Sequence, residues 1–92
     1  MEYKNLKELI EFMGIDEALF LAPDCYNEAI IGISHDDRII YSYDKLVEVL
    51  MQRGNTLEDA RAWADSNIVE SLVYLGEKSP IVLYEIEING ED

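Results

Sequence analysis

Arg38-Ile39-Ile40-Tyr41-Ser42-Tyr43-Asp44-Lys45-Leu46-Val47-Glu48-Val49-Leu50-Met51-Gln52-Arg53-Gly54 changes period in its middle. Up to Ser42 it is mostly β-branched and aromatic, the composition of a short strand. From there Tyr43, Leu46, Val47, Leu50 and Met51 recur at i, i+3, i+4, i+7 and i+8, the stripe of an amphipathic helix. Ser42 stands where an N-cap belongs, Asp44 complements the dipole in the first turn, and Arg53-Gly54 reads as a stop. The stretch predicts a strand over 38–42 that runs directly into a helix over 43–53.

Upstream, Ala29 to Ile33 is a second isoleucine-rich run, and the polar Ser34-His35-Asp36-Asp37 between the two runs has the composition of a hairpin loop. The pair predicts an antiparallel hairpin over 29–42, with Ile31, Ile33, Ile39 and Tyr41 on one face and Ile30 and Ile40 on the other. Gly32 marks a bulge or a packing position. Further back, Leu6, Leu9, Ile10 and Met13 lie at helical spacing before Gly14 and predict a helix over 3–13; residues 15–28 read as a loop pinned by Leu19, Phe20 and Leu21.

Downstream, Thr56 followed by Asp59 resembles a capping box, and Leu57, Ala60, Ala64, Ile68, Leu72 and Leu75 form a stripe that ends at Gly76, predicting a helix over 56–75. Val69 and Val73 fall outside that stripe, so the second half of this helix is either covered on two sides or used in an interface. Pro80 opens a last strand over 81–88, with Val82, Tyr84, Ile86 and Ile88 on one face and Glu85 and Glu87 on the other. Helices that are not interleaved one per strand favour an α+β fold over a doubly wound one. The expectation is a single domain over 1–92: a small three-stranded antiparallel sheet with three helices, whose last strand can join either hairpin strand.

Composition narrows function. Twenty acidic residues stand against seven basic ones, a net charge of -13, while 49% of the chain is apolar. That apolar share argues for a packed core despite the acidity, since disorder needs low hydrophobicity as well. The charge argues against direct contact with nucleic-acid phosphates or acidic lipid and favours basic partners. Cys25 is the single cysteine and cannot close an intramolecular disulfide. Met1 to Phe12 intersperses charge with apolar residues, unlike a targeting leader, and no apolar run approaches the roughly 20 residues of a membrane span. The expected location is cytoplasmic.

The runs Ile30 to Ile33, Arg38 to Met51, Leu57 to Ala60, Asn67 to Val69 and Gly76 to Val82 resemble an uncharacterised family of small bacterial and phage-encoded proteins. In that family a Tyr-x-Tyr-Asp-Lys stretch, here Tyr41 to Lys45, leads into a helix, and a Gly-Glu-Lys-x-Pro stretch, here Gly76 to Pro80, leads into the last strand. The turn Gln52 to Thr56 is less acidic than the family pattern. The resemblance implies a phage or mobile-element accessory context and carries over no catalytic residue.

Catalytic vocabulary is sparse. Cys25 and His35 are ten residues apart without an orienting third group, and a half-buried thiol and a loop histidine account for them. His35-Asp36-Asp37 is metal-capable by type, but adjacent loop residues point in different directions, as in a solvated turn. The glycines obey no phosphate-loop spacing. No catalytic, cofactor or metal site is assigned, and the chain reads as a non-enzyme. Tyr41, Tyr43, Trp63, Tyr74 and Tyr84 are either core and rim packing or the lining of a ligand pocket.

Two functional classes follow. One is an acidic protein-binding module, of the accessory or inhibitor type, acting on a basic surface of a host protein. Trp63, Val69 and Val73 mark its apolar contact surface; in the form that mimics a nucleic acid, Asp36, Asp37, Asp44, Glu48, Glu58 and Asp65 stand where phosphates would sit. A rival account of the same charge is that it keeps a small protein soluble. The other class is a small-molecule-binding protein, homo-oligomeric in one form, with an aromatic-lined pocket between sheet and helices.

Overall fold

Ile39, Ile40, Tyr41 and Ser42 form the central strand of a three-stranded sheet, and its side chains set where everything else packs. The computed structural model describes Gly14, residues 19–21 and residues 24–86. A 3-10 helix, Asp24–Ala29, leads into β1 (Ile30–Ile33), β2 (Ile39–Ser42) and α1 (Tyr43–Gln52). Next come α2 (Leu57–Trp63), a π-helical turn (Ala64–Val69) and a 3-10 segment (Glu70–Tyr74), and then β3 (Ile81–Leu83). The architecture is α+β. The helix expected over 3–13 lies outside the described residues, as do the positions of Glu87 and Ile88 in the expected last strand.

The sheet is mixed and not antiparallel throughout. β1 and β2 pair antiparallel as expected, but β3 lies parallel to β2, with Ile40 opposite Ile81, Tyr41 opposite Val82 and Ser42 opposite Leu83. The cause is a clamp at the start of β2. Arg38 Nε donates to the Ser79 carbonyl at 2.8 Å and its Nη2 to the Ser79 hydroxyl at 3.4 Å, while Lys78 Nζ donates to the Asp36 carbonyl at 2.8 Å. The lead-in to β3 is thereby fastened beside the hairpin loop, so β3 must set out in the direction of β2. Parallel neighbours need a crossover of a dozen or more residues, which α1, α2 and their continuation supply.

The hairpin carries a second correction. Ile30 faces Tyr41, Gly32 faces Ile40 and Ile33 faces Ile39, with a bulge between Ile30 and Gly32. A bulge adds one residue and shifts the alternation by one. Ile30 and Ile33 therefore both pack on the Ile39 and Tyr41 side, and Ile31, expected there, is exposed. The loop itself closes through Ser34 N–H to the Arg38 carbonyl at 2.8 Å, and Asp37 takes a left-handed backbone, φ 64°, that aspartate tolerates.

Helix α1 begins at Ser42, whose hydroxyl accepts from Lys45 N–H at 3.3 Å. It buries Tyr43, Leu46, Val47, Val49 and Leu50. Met51, expected in the stripe, is exposed and Val49 is buried instead, because β2, the 3-10 helix and α2 all pack against α1 from different sides. The helix stops at Arg53-Gly54, where Gly54 adopts φ 104° and the Asn55 amide caps the Leu50 carbonyl at 2.8 Å.

α2 starts as half of a capping box, Thr56 Oγ1 accepting from Asp59 N–H at 3.1 Å. The helix expected over 56–75 changes pitch along its length. Its buried side is Ala60, Ala64 and Ile68, spaced by four, while Leu57 and Leu75, expected in the stripe, are exposed. In a pure α-helix of 3.6 residues per turn a four-residue repeat drifts around the axis; i→i+5 bonding in the π turn widens the turn and keeps Ile68 beneath Ala64. Leu46, fully buried with Ile39, Tyr41, Ala60 and Ala64, belongs to the single core cluster. Leu46→Ala is expected to cost about 2 to 5 kcal/mol, seen as a lower urea midpoint at unchanged m, against about 0.5 kcal/mol or less for Met51→Ala. Arg38→Met is expected to speed amide exchange in β3 while that of α1 stays slow; equal acceleration in both would show that the clamp does not act locally.

Candidate functional site

Trp63 ends α2 on its outer side and is 50% exposed. Beyond it, Val73 and Tyr74 reach 78% and 85% exposure, the helix having run past the core. Val69, expected to share their surface, is instead half-buried against the core. Glu58, Asp59, Asp65 and Glu70 are exposed along the same segment, with Arg61 as its basic residue. Residues 57–75 thus expose apolar groups together with a net excess of carboxylates.

This segment joins the sheet through a tyrosine pair. The Tyr43 hydroxyl donates to Asp65 Oδ1 at 2.8 Å, and the Tyr43 and Tyr84 rings stack with centroids 4.6 Å apart and planes tilted by 36°. Burial of the phenol, with the hydrogen bond to Asp65 and that carboxylate's charge, pushes the Tyr43 pKa up to about 12. On the chain after β3, Tyr84 is more than half exposed and Ile86 is exposed as well. Neither lies in a strand, which ends at Leu83.

The other acidic candidates come from several elements. Asp36 and Asp37 occupy the hairpin loop, Asp44 and Glu48 an exposed side of α1, and Glu58 the first turn of α2. Asp37 and Asp44 sit beyond opposite ends of β2, a strand of four residues that spans about 13 Å. Asp36 is occupied internally: the Ser34 hydroxyl donates to its carboxylate and Arg38 lies 3.9 Å away, and that hydrogen bond above all holds its pKa below the usual value.

The five aromatics do not converge. Tyr41 is fully buried, its hydroxyl accepting from Leu21 N–H at 2.9 Å, and burial raises its pKa. The aromatic-walled cleft lies elsewhere. It measures about 240 Å³ and is lined by Tyr26, Leu50, Arg53, Asn55 and Trp63, between the 3-10 helix, the end of α1 and α2. Tyr26 and Leu50 are buried and form its apolar floor, while Arg53 and Asn55 are exposed. Arg53 Nη1 donates to Cys25 Sγ at 3.0 Å, which places the thiol against a guanidinium. In the sequence Arg53-Gly54 reads as a helix stop alone; Tyr26, three residues before the isoleucine run, carries no periodic signal.

Among the described residues no three His, Cys, Asp or Glu side chains stand together as metal ligands, and no helix is long and apolar enough to cross a membrane. Compared with protein-family models, with curated proteins and with solved structures, the chain matches none.

Tyr43 has a pH signature. Its folded pKa lies above the unfolded value near 10, so the neutral phenol stabilises the fold fully below about pH 10, and this stabilisation is lost as pH rises towards about 12. A titration of tyrosinate absorbance is expected to show a late step that Tyr43→Phe removes, with a loss of about 1 kcal/mol at neutral pH. Titration of Tyr43 at the ordinary tyrosine value near 10 would contradict the assignment.

Proposed function

We propose that the chain is a non-enzymatic, acidic protein-binding module that presents the outer side of residues 57–75 to a basic surface of a partner protein. The observation that supports this most is the exposure of Trp63, Val73 and Tyr74 on the same segment as exposed Glu58, Asp59, Asp65 and Glu70. Aromatic groups left at a surface act as anchors once water is excluded around them, and charge at the rim selects the partner and steers its approach. A second copy of a chain with net charge -13 is repelled at long range, whereas a basic surface is drawn in. The resemblance to small phage-encoded proteins supports an accessory or inhibitory role against a host protein that handles nucleic acid.

The test is capture of partners by the tagged protein in low and high salt, beside Trp63→Ala and Tyr74→Ala. Both variants should keep the fold, their side chains being half or more exposed, and each should weaken capture of a basic partner by about tenfold. Capture should also fall as salt shortens the Debye length. Undiminished capture by both variants would reject this surface, and capture indifferent to salt would reject the charge.

A further inference from the structure

The cleft at the end of α1 shares Trp63 with the proposed protein-binding surface and adds groups which that surface does not use. Its walls and floor are aromatic and aliphatic, from Trp63, Tyr26 and Leu50. It holds the guanidinium of Arg53, and among the described residues no carboxylate lies within ion-pair distance of that group, in a chain with twenty acids. The Arg53 hydrogen bond among the described residues goes instead to the sulfur of Cys25, a weak acceptor that leaves the fork suited to a better one. Carboxylate is what a guanidinium fork binds best, in paired hydrogen bonds. Flat apolar walls beside it suit a ring.

We propose that this cleft is a binding site for a small aromatic monocarboxylate, the carboxylate on Arg53 and the ring beside Trp63 over the floor of Tyr26 and Leu50. At about 240 Å³ it is smaller than a drug-sized pocket, which limits the ligand to one ring with a short acidic arm. The rigid turn supports the geometry: Arg53 N–H bonds the Leu50 carbonyl at 3.1 Å and the Asn55 amide bonds the same carbonyl at 2.8 Å. A dianion or a larger ligand is disfavoured by the field of the chain itself. This site shares Trp63 with the protein-binding reading but depends on Arg53, Tyr26 and Leu50, which that reading does not use.

Trp63 is the single tryptophan of the chain, so its fluorescence reports directly on the cleft. Phenylacetate is expected to change it saturably with a Kd on the order of 1 mM, the weakness expected of so small a ligand. Phenylethylammonium, with the same ring and the opposite charge, should bind at least about tenfold more weakly. Arg53→Met should weaken phenylacetate by about tenfold or more and leave partner capture unchanged, and Arg53→Lys should restore only part of the loss. Equal response to both probes, no saturation with phenylacetate, or full binding by a folded Arg53→Met variant would each overturn the proposal. The comparison of the two probes needs no variant, so it decides even if Arg53→Met does not fold.

Discussion

Strand β3 is held to β2 at both ends by side chains, and the course of the whole chain depends on that double attachment. Three paired residues make a short ladder. At one end Arg38 and Lys78 tie the approach to β3 to the hairpin loop. At the other, the buried Ser42 hydroxyl donates to Glu85 just beyond β3 while accepting from Lys45 N–H to cap α1. One hydroxyl therefore ends a strand, starts a helix and fixes the segment after the neighbouring strand. Because the loop end is fixed, β3 must run parallel to β2, and the helical excursion between them has to close over the same face.

That excursion explains the exposed surface. α2 lies against the core through alanines, Ala60 and Ala64, both fully buried, and small side chains let a helix come close. Close approach on one side leaves bulky groups no room there, so Leu57, Trp63, Val73 and Tyr74 are turned outward. The π turn preserves contact as far as Ile68, after which the chain tightens into a 3-10 segment and leaves the core. Exposed apolar residues at Val73 and Tyr74 are thus a consequence of the packing that secures Ala60, Ala64 and Ile68.

Local signals in the sequence were legible where one element decides its own shape. The Ser42 and Thr56 caps, the stop at Gly54, the hairpin and the exposure of Trp63 follow from side-chain chemistry within a few residues. The direction of β3 was not legible, because it is set by hydrogen bonds between residues some forty apart, Arg38 to Ser79 and Asp36 to Lys78. The face of Ile31 was lost to a bulge that shifts the alternation. The cleft escaped for a related reason: Tyr26, Arg53 and Trp63 come from three separate elements and meet only when α1 is docked.

Charge connects these levels. Of the basic side chains in the described residues, Arg38 and Lys78 are engaged with backbone carbonyls of the fold, and Arg61 stands among the acids of α2. Using cations to join loops commits their donors to the fold, so those cations offer less to a partner. Arg53 is different, because its contact is a thiol and its position is the rim of an apolar cleft. Apolar walls lower the local dielectric and strengthen its short-range attraction for an anion, while the distant carboxylates act through solvent and are screened beyond about 10 Å. A chain of strongly negative net charge can therefore attract a basic protein with its surface and still hold a small acid in one cleft.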